Sequence, residues 1–190
     1  MSKCFLAAVF AVMLSMAACR DRPAAPEVPL STLHMAAQYG DAKATRALVA
    51  QGHSIDALDQ FGRTPLAYAV MAHHMDVVKV LIALGANKET RTAQGYDLVM
   101  LSLYNEIDPS LDMLNYLVDL GMDVNNSTSD GDSALNIAIS AQHEQAVERL
   151  IALGARANAR SLAILDAQSN PSLVIERLVR KGKLAPGQLQ

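Results

Sequence analysis

The stretch from Arg63 to Ala86, RTPLAYAVMAHHMDVVKVLIALGA, decides the fold because it carries the signals of two consecutive short helices. Thr64 is a residue type that accepts a hydrogen bond from a first helical turn, and Pro65 follows where its missing N–H costs nothing. Gly85 readily adopts the left-handed backbone conformation that commonly ends a helix. The stretch therefore predicts two helices of roughly nine and ten residues joined by a turn. Their apolar stripes are Leu66, Ala69 and Val70, and Val77, Val78, Leu81 and Ile82.

The same arrangement recurs along the chain from Ser31 onward. In four places a capping residue is followed by a Gly 21 positions later, and in a fifth the separation is 24 because three residues are inserted. This period indicates a stack of five helical hairpins, whose short helices need neighbours to bury their apolar sides. The pairs are Ser31–Gly52, Thr64–Gly85, Asp97–Gly121, Ser133–Gly154 and Ser161–Gly182, so the units begin near residues 31, 64, 97, 133 and 161 of a domain spanning 31–190.

These units resemble ankyrin repeats. The match is carried by Arg63-Thr64-Pro65-Leu66, by the run from Val77 to Ile82 and by Gly85-Ala86, while Ser31 to Ala37 resembles an opening helix. The resemblance implies an all-α solenoid of about five helix–turn–helix units with short projecting finger loops. It also implies protein binding through a concave face made by the first helices and the fingers, and a structural role for His34 in a hydrogen bond between loops.

The first 18 residues differ from the repeats. Lys3 precedes an uncharged run of 15 residues, which is shorter than the roughly 20 that cross a bilayer. This pattern predicts a cleaved export signal at residues 1–18. The sequence Met16-Ala17-Ala18-Cys19 resembles the lipobox of bacterial lipoproteins, in which the cysteine receives a diacylglycerol, although that family usually has Leu where this chain has Met16.

Cys19 has two alternative fates. Lipidation would make it the membrane anchor, whereas cleavage after Ala17 would leave it an ordinary thiol. Residues 19–30 contain three Pro, which favours an extended tether, and Arg20 after the cysteine would permit delivery to the outer membrane. We therefore expect a periplasmic, lipid-anchored protein, with the outer membrane favoured and the N-terminal lipid as the membrane contact.

The composition argues against several function classes. With 16 Lys and Arg against 19 Asp and Glu, the chain has a formal net charge of −3 and lacks the basic face that nucleic acid requires. It contains no GxSxG, HExxH, P-loop or GxGxxG motif and no evident pair of acid–base carboxylates. Ser133 and Ser161 are expected to be helix caps rather than nucleophiles. We therefore expect no catalytic residues and no cofactor.

The histidines suggest a metal site only weakly. His73 and His74 are adjacent in the predicted turn of the second unit, and His143 takes the place of His74 in the fourth unit. No Cys, Asp or Glu at ligand spacing completes a tetrahedral set. We expect no metal, and we expect His53 to be a solvated loop residue.

The positions that project from the concave surface of ankyrin repeats are rich here in aromatic residues and Arg, the types that most often anchor interfaces. For Phe61 and Tyr96, packing on the neighbouring finger is an alternative that the sequence leaves open. The inserted segment Glu106–Ser110 is either an extra contact or tolerated loop length. The predicted partner-binding residues are Tyr39, Phe61, Arg63, Met71, Arg91, Tyr96, Tyr104, Asp130 and Asp132.

The functional prediction is a non-enzymatic, tethered monomer that binds one protein partner in the periplasm and blocks or sequesters it. An immunity protein against an antibacterial toxin is one form of this role. The alternative is a tethered helper that protects or retains a periplasmic stress enzyme such as a catalase.

Overall fold

A computed structural model describes residues 31–104, residues 110–167 and Ile175. Several predicted features lie outside these residues. They are the export signal 1–18, Cys19 and the tether 19–30, most of the inserted loop (Glu106 to Pro109), and the second helix and closing Gly182 of the fifth unit.

The described residues form nine α-helices, which pair into hairpins and stack in two rows. The first helices α1, α3, α5, α7 and α9 contact one another in chain order, and α2 packs against α4 in the second row. Within the described ranges the β-structure consists of one isolated bridge between Ser127 and Ser133. The predicted all-α solenoid of helix–turn–helix units is confirmed. The bounds are α1 Thr32–Gln38, α2 Ala42–Ala50, α3 Pro65–Met71, α4 Met75–Ala83, α5 Leu98–Leu101, α6 Leu111–Asp119, α7 Ala134–Ser140, α8 Glu144–Ala152 and α9 Ala159–Ala167.

Side-chain caps start the first four units where the sequence predicted them. In each unit the oxygen of the capping side chain accepts the backbone N–H three residues later, which satisfies a donor that has no partner inside the helix. The caps are Ser31 on α1, Thr64 on α3, Asp97 on α5 and Ser133 on α7.

The predicted cap of the fifth unit, Ser161, is wrong. Helix α9 begins at Ala159, and the side-chain oxygen of Asn158 accepts the Ser161 N–H at 2.9 Å. Ser161 is fully buried and donates its hydroxyl to Asn136 Oδ1 at 2.5 Å. Because this unit lacks a finger, the chain enters its helix earlier, and Asn158 takes the capping role.

The first helices of units one to four are shorter than the predicted nine residues or so, whereas α9 of the fifth unit contains nine. They contain seven residues in units one, two and four, and four in unit three, whereas the second helices α2, α4, α6 and α8 contain nine. A residue with positive φ ends the first helical run soon after its C-cap: Gly40, His73 and Gln142 hold this place. After α5 the backbone continues in tighter turns, with N–H groups of Leu103 and Tyr104 bonded three residues back at 3.2 Å.

The core lies between the two helix rows and is built from equivalent positions. Leu33, Leu66, Val99 and Leu135 each lie two residues after a cap and are at most 1% exposed. Burying a side chain of this size contributes about 1.5–3 kcal/mol, so the repeats stabilise one another through this column. None of the helices within the described ranges has the length and apolarity needed to span a membrane.

Candidate partner-binding surface

Three fingers project from the stack: residues 53–63, 86–96 and 122–132. Together with the first helices they form what we call the finger-side surface. Each finger contains a tight turn closed by a polar side chain that accepts the N–H four residues later. The closing residues are Asp59, Thr92 and Thr128, which accept from Arg63, Tyr96 and Asp132 at 2.8, 3.1 and 3.1 Å.

Asp59 organises the first finger. One carboxylate oxygen accepts the N–H groups of Phe61 and Arg63 at 2.8 Å, and the other accepts the Tyr68 hydroxyl at 2.7 Å. Burial raises the pKa of Asp59, but these hydrogen bonds and the Arg63 guanidinium outweigh it and hold the pKa below its ordinary value. The finger is therefore fixed by an ionised carboxylate.

Phe61 and Arg63 form one contact unit at the tip of that finger. The Arg63 guanidinium lies over the Phe61 ring, 4.7 Å from its centroid, and 5.9 Å from the centroid of Tyr68. Phe61 remains 40% exposed, although its backbone oxygen accepts the Ala93 N–H of the second finger at 2.8 Å. The finger-to-finger link is thus made by the backbone, which leaves part of the ring exposed.

Arg91 joins the second finger to the third. Its guanidinium donates to the carbonyl oxygens of Gly95 and Ser127 at 3.0 and 3.3 Å and lies 4.0 Å from Asp97 Oδ2. That buried Asp97 oxygen accepts no hydrogen bond from the described residues. Arg91 lies where the sequence predicted it, but its charge is largely engaged within the protein.

Tyr96, Tyr104 and Asp132 come together around one recess. The two tyrosine rings meet edge to face with centroids 6.3 Å apart, and Asp132 pairs with Arg160 at 2.5 Å. The recess is an open cavity of about 710 Å³ between units three, four and five. It is lined by Tyr96, Leu103, Tyr104, Asp132, Asn136, Ile137, Ser140, Ala141, Arg160 and Ile164.

Tyr96 packs its ring against the core and against Tyr104. Its ring is half-buried against the core, and burial, Asp132, Tyr104 and Asp130 raise the pKa of its hydroxyl, with Arg160 opposing them. Tyr96 therefore both supports the stack and lines the recess.

The predicted contact residues also differ in exposure. Tyr39 at the end of α1 is 70% exposed and Tyr104 is 53% exposed, whereas Met71 is half-buried against the core. Asp130 is exposed and accepts the Ser129 hydroxyl at 3.4 Å. The nine predicted residues thus include a first-finger pair, Phe61 and Arg63, and a recess group, Tyr96, Tyr104 and Asp132.

The histidines tie neighbouring repeats together. His34 Nε2 lies 3.0 Å from the carbonyl oxygen of Arg63, which confirms its predicted role in a hydrogen bond between loops. His73 and His74 lie in the predicted turn, and each Nε2 lies 3.0 Å from a carbonyl oxygen of a neighbouring unit, Ser102 or Gln38. In the described ranges no three His, Cys, Asp or Glu side chains are grouped closely enough to hold a metal ion. His53 is exposed, as predicted.

Sequence reasoning missed two residues of this surface, Asp59 and Arg160. A signal for Asp59 is present, because a hydrogen-bonding residue lies three positions before Gly62, Gly95 and Gly131. Arg160 has no such signal. Because unit five lacks a finger, Arg160 cannot be aligned with an equivalent position in the other units.

Comparisons with known proteins bear on the repeats. The family model described as ankyrin repeats (3 copies) matches residues 17–92 and 33–126. Inversin of Danio rerio is 43% identical over 61 residues, which are 32% of this chain and 6% of that protein. L-asparaginase of Dirofilaria immitis is 28% identical over 64% of this chain and 20% of that protein. E3 ubiquitin-protein ligase KEG of Arabidopsis thaliana is 26% identical over 73% of this chain and 8% of that protein. The matched part is therefore a fifth or less of each of these relatives.

Proposed function

Since the chain belongs to the ankyrin-repeat family, whose repeats form a protein–protein interaction module, we propose that it binds one protein partner through the finger-side surface and blocks or sequesters that partner. Protein binding is the general role of the family, and we add to it the finger-side surface as the binding site and the blocking of the partner as the consequence.

The distribution of exposed large hydrophobic side chains carries this proposal. Among the described residues there are six, and five lie on the finger-side surface or at the ends of its first helices. Exposed apolar and aromatic groups concentrated on one side of a small protein are typical of an interaction site. The five are Met35, Tyr39, Leu58, Phe61 and Tyr104, and the sixth, Leu84, follows a second helix.

A binding role also suits the ionisable groups of this surface, because their bonding is structural. The carboxylate of Asp59 holds a turn, Asp132 pairs with Arg160, and the Nε2 atom of His34 faces a carbonyl oxygen. Groups held in this way are poorly available for proton transfer or nucleophilic attack. We propose that the protein has no catalytic activity of its own.

We further propose that the protein acts in the periplasm, anchored through Cys19 and held away from the membrane by residues 19–30. The support is the export-signal pattern and the proline-rich segment. A tethered protein that occupies one surface of another protein suits an immunity role against a toxin that reaches the periplasm.

Capture of the partner by the full chain from its native cells, followed by affinity measurement, tests the proposal. Phe61→Ala with Tyr104→Ala is expected to weaken binding of the captured protein by about 30-fold or more, as for residues at the centre of an interface. Leu84→Ala, which truncates an exposed apolar side chain beside a second helix, is the matched control and is expected to leave affinity unchanged.

Weaker partner binding by Leu84→Ala, together with unchanged binding by the double variant, would contradict the proposed surface. The identity of the captured protein tests the specific role. A toxin supports the immunity function, whereas a stress enzyme such as a catalase, recovered active from the complex, would replace it with a protective one.

A further inference from the structure

The recess between units three, four and five is lined by both polar and apolar side chains. Leu103, Ile137 and Ile164 are among the apolar ones, and Tyr96 and Tyr104 contribute an edge-to-face pair of rings. With a volume of about 710 Å³ and an open mouth, it has room for one long side chain of a partner.

The charges around the recess are unequal. Arg160 donates to both carboxylate oxygens of Asp132, at 2.5 and 3.3 Å, so these two charges largely cancel. Asp130 lies two residues before Asp132 on the third finger, and in the described residues its carboxylate contacts the neutral hydroxyl of Ser129. Among the residues that the structure describes, Asp130 therefore has no cationic partner.

Burial is the largest cause of the raised pKa of the Tyr96 hydroxyl. Asp132, Tyr104 and Asp130 add to this effect, and Arg160 opposes it.

Resting on the proposed function, we propose that this recess binds an arginine side chain of the partner protein. The guanidinium stacks against the rings of Tyr96 and Tyr104 and pairs with Asp130 at the edge of the recess, while the aliphatic stem lies against the apolar lining side chains. Arginine fits better than lysine because its planar, weakly hydrated group stacks on aromatic faces.

The test uses a probe that carries the side chain alone. Nα-acetylarginine amide is titrated into the full chain, and backbone amide chemical shifts are followed by NMR. Saturable shifts are expected at Tyr96, Tyr104, Ser140 and Ile164. Nα-acetylcitrulline amide, which has the same shape without the charge, is expected to bind at least fivefold more weakly. Equal binding of the two probes would overturn the proposal.

Variants assign the site. Tyr104→Ala is expected to weaken arginine-probe binding about five- to tenfold, and Tyr104→Phe is expected to restore it because the ring is kept. Asp130→Asn is expected to weaken it about two- to fivefold, with a smaller effect at high salt. Asp119→Asn, on the second helix α6, is the charge-matched control. No loss in Tyr104→Ala, or an equal loss in Asp119→Asn, would contradict the site.

The outcome is separable from that of the proposed function. If Phe61→Ala weakens binding of the captured partner while Tyr104→Ala affects neither the partner nor the probe, the arginine site is wrong and the finger-side surface stands. If neither substitution affects the partner, the surface itself is wrong.

Discussion

Asp59 is the residue on which the shape of the first finger depends most. Its carboxylate accepts two backbone N–H groups and one hydroxyl, so its charge is stabilised more in the folded protein than in the unfolded chain. A carboxylate with a lowered folded-state pKa contributes stability that is fully present above its unfolded pKa and is lost as the pH falls through the folded pKa.

We therefore predict that Asp59→Asn lowers the free energy of unfolding by about 1 kcal/mol at pH 7. The difference from the wild type shrinks as the pH falls from 5 to 2, because the wild type then loses its charged acceptor as well. Urea unfolding at pH 7, 5 and 3 measures this. Asp119→Asn controls for loss of a carboxylate, and a difference for Asp59→Asn that grew toward low pH would contradict the assignment.

Phe61 and Tyr96 differ in how much they contribute to stability. Phe61→Ala is predicted to change the free energy of unfolding by at most about 0.5 kcal/mol, because its ring is exposed. Tyr96→Ala is predicted to cost about 1–2 kcal/mol, because its half-buried ring packs on the core and on Tyr104. Thermal unfolding of the two variants separates them, and equal melting temperatures would show that the rings are in equivalent surroundings.

At the scale of the element, the fingers form a connected row. The Ala93 N–H donates to the Phe61 oxygen at 2.8 Å, and Arg91 joins the second finger to the third. Gly62 has φ of +71°, and a Cβ added there would lie 2.8 Å from Ala93 N of the second finger. Gly85 also has a positive φ, +92°, but an added Cβ there would have no neighbour within 4 Å.

These two glycines make a matched pair. Both Gly62→Ala and Gly85→Ala incur the cost of a left-handed residue, about 1–2 kcal/mol. Gly62→Ala is predicted to cost at least about 1 kcal/mol more, because it also displaces the Ala93 hydrogen bond. Denaturant unfolding measures the difference, and equal costs would mean that the first two fingers are not in contact.

Elements were predictable where a capping residue or a glycine recurs at the repeat period. Thr64, Asp97 and Ser133 all cap helices, because a hydrogen bond between residues three apart is a local property of the chain. Ser161 fails because Asn158 competes with it in a unit that lacks a finger. The first helices of units one, two and four were predicted too long because a residue in the left-handed conformation ends each of them, and at two of these places it is a non-glycine residue, His73 or Gln142.

At the scale of the whole molecule, the repeats place scattered residues on one side. Tyr39, Phe61 and Tyr104 belong to three units, yet all are exposed on the finger-side surface. Their location followed from the repeat register. The recess could not be predicted from the repeat register, because it depends on Arg160 and Ile164 of α9, and the register of that unit is shifted. The pairing of Asp132 with Arg160 is likewise a tertiary contact across 28 residues.

The most direct test of the account is site-specific photo-crosslinking in the native cells. The photoreactive residue p-benzoylphenylalanine replaces Phe61 or Tyr104 on the finger-side surface, and Asp119 or Glu148 on the second-helix side. We predict that positions 61 and 104 crosslink to the same polypeptide and that positions 119 and 148 do not. Crosslinks to that polypeptide from positions 119 and 148, with none from 61 and 104, would contradict the claim that the finger-side surface binds the partner.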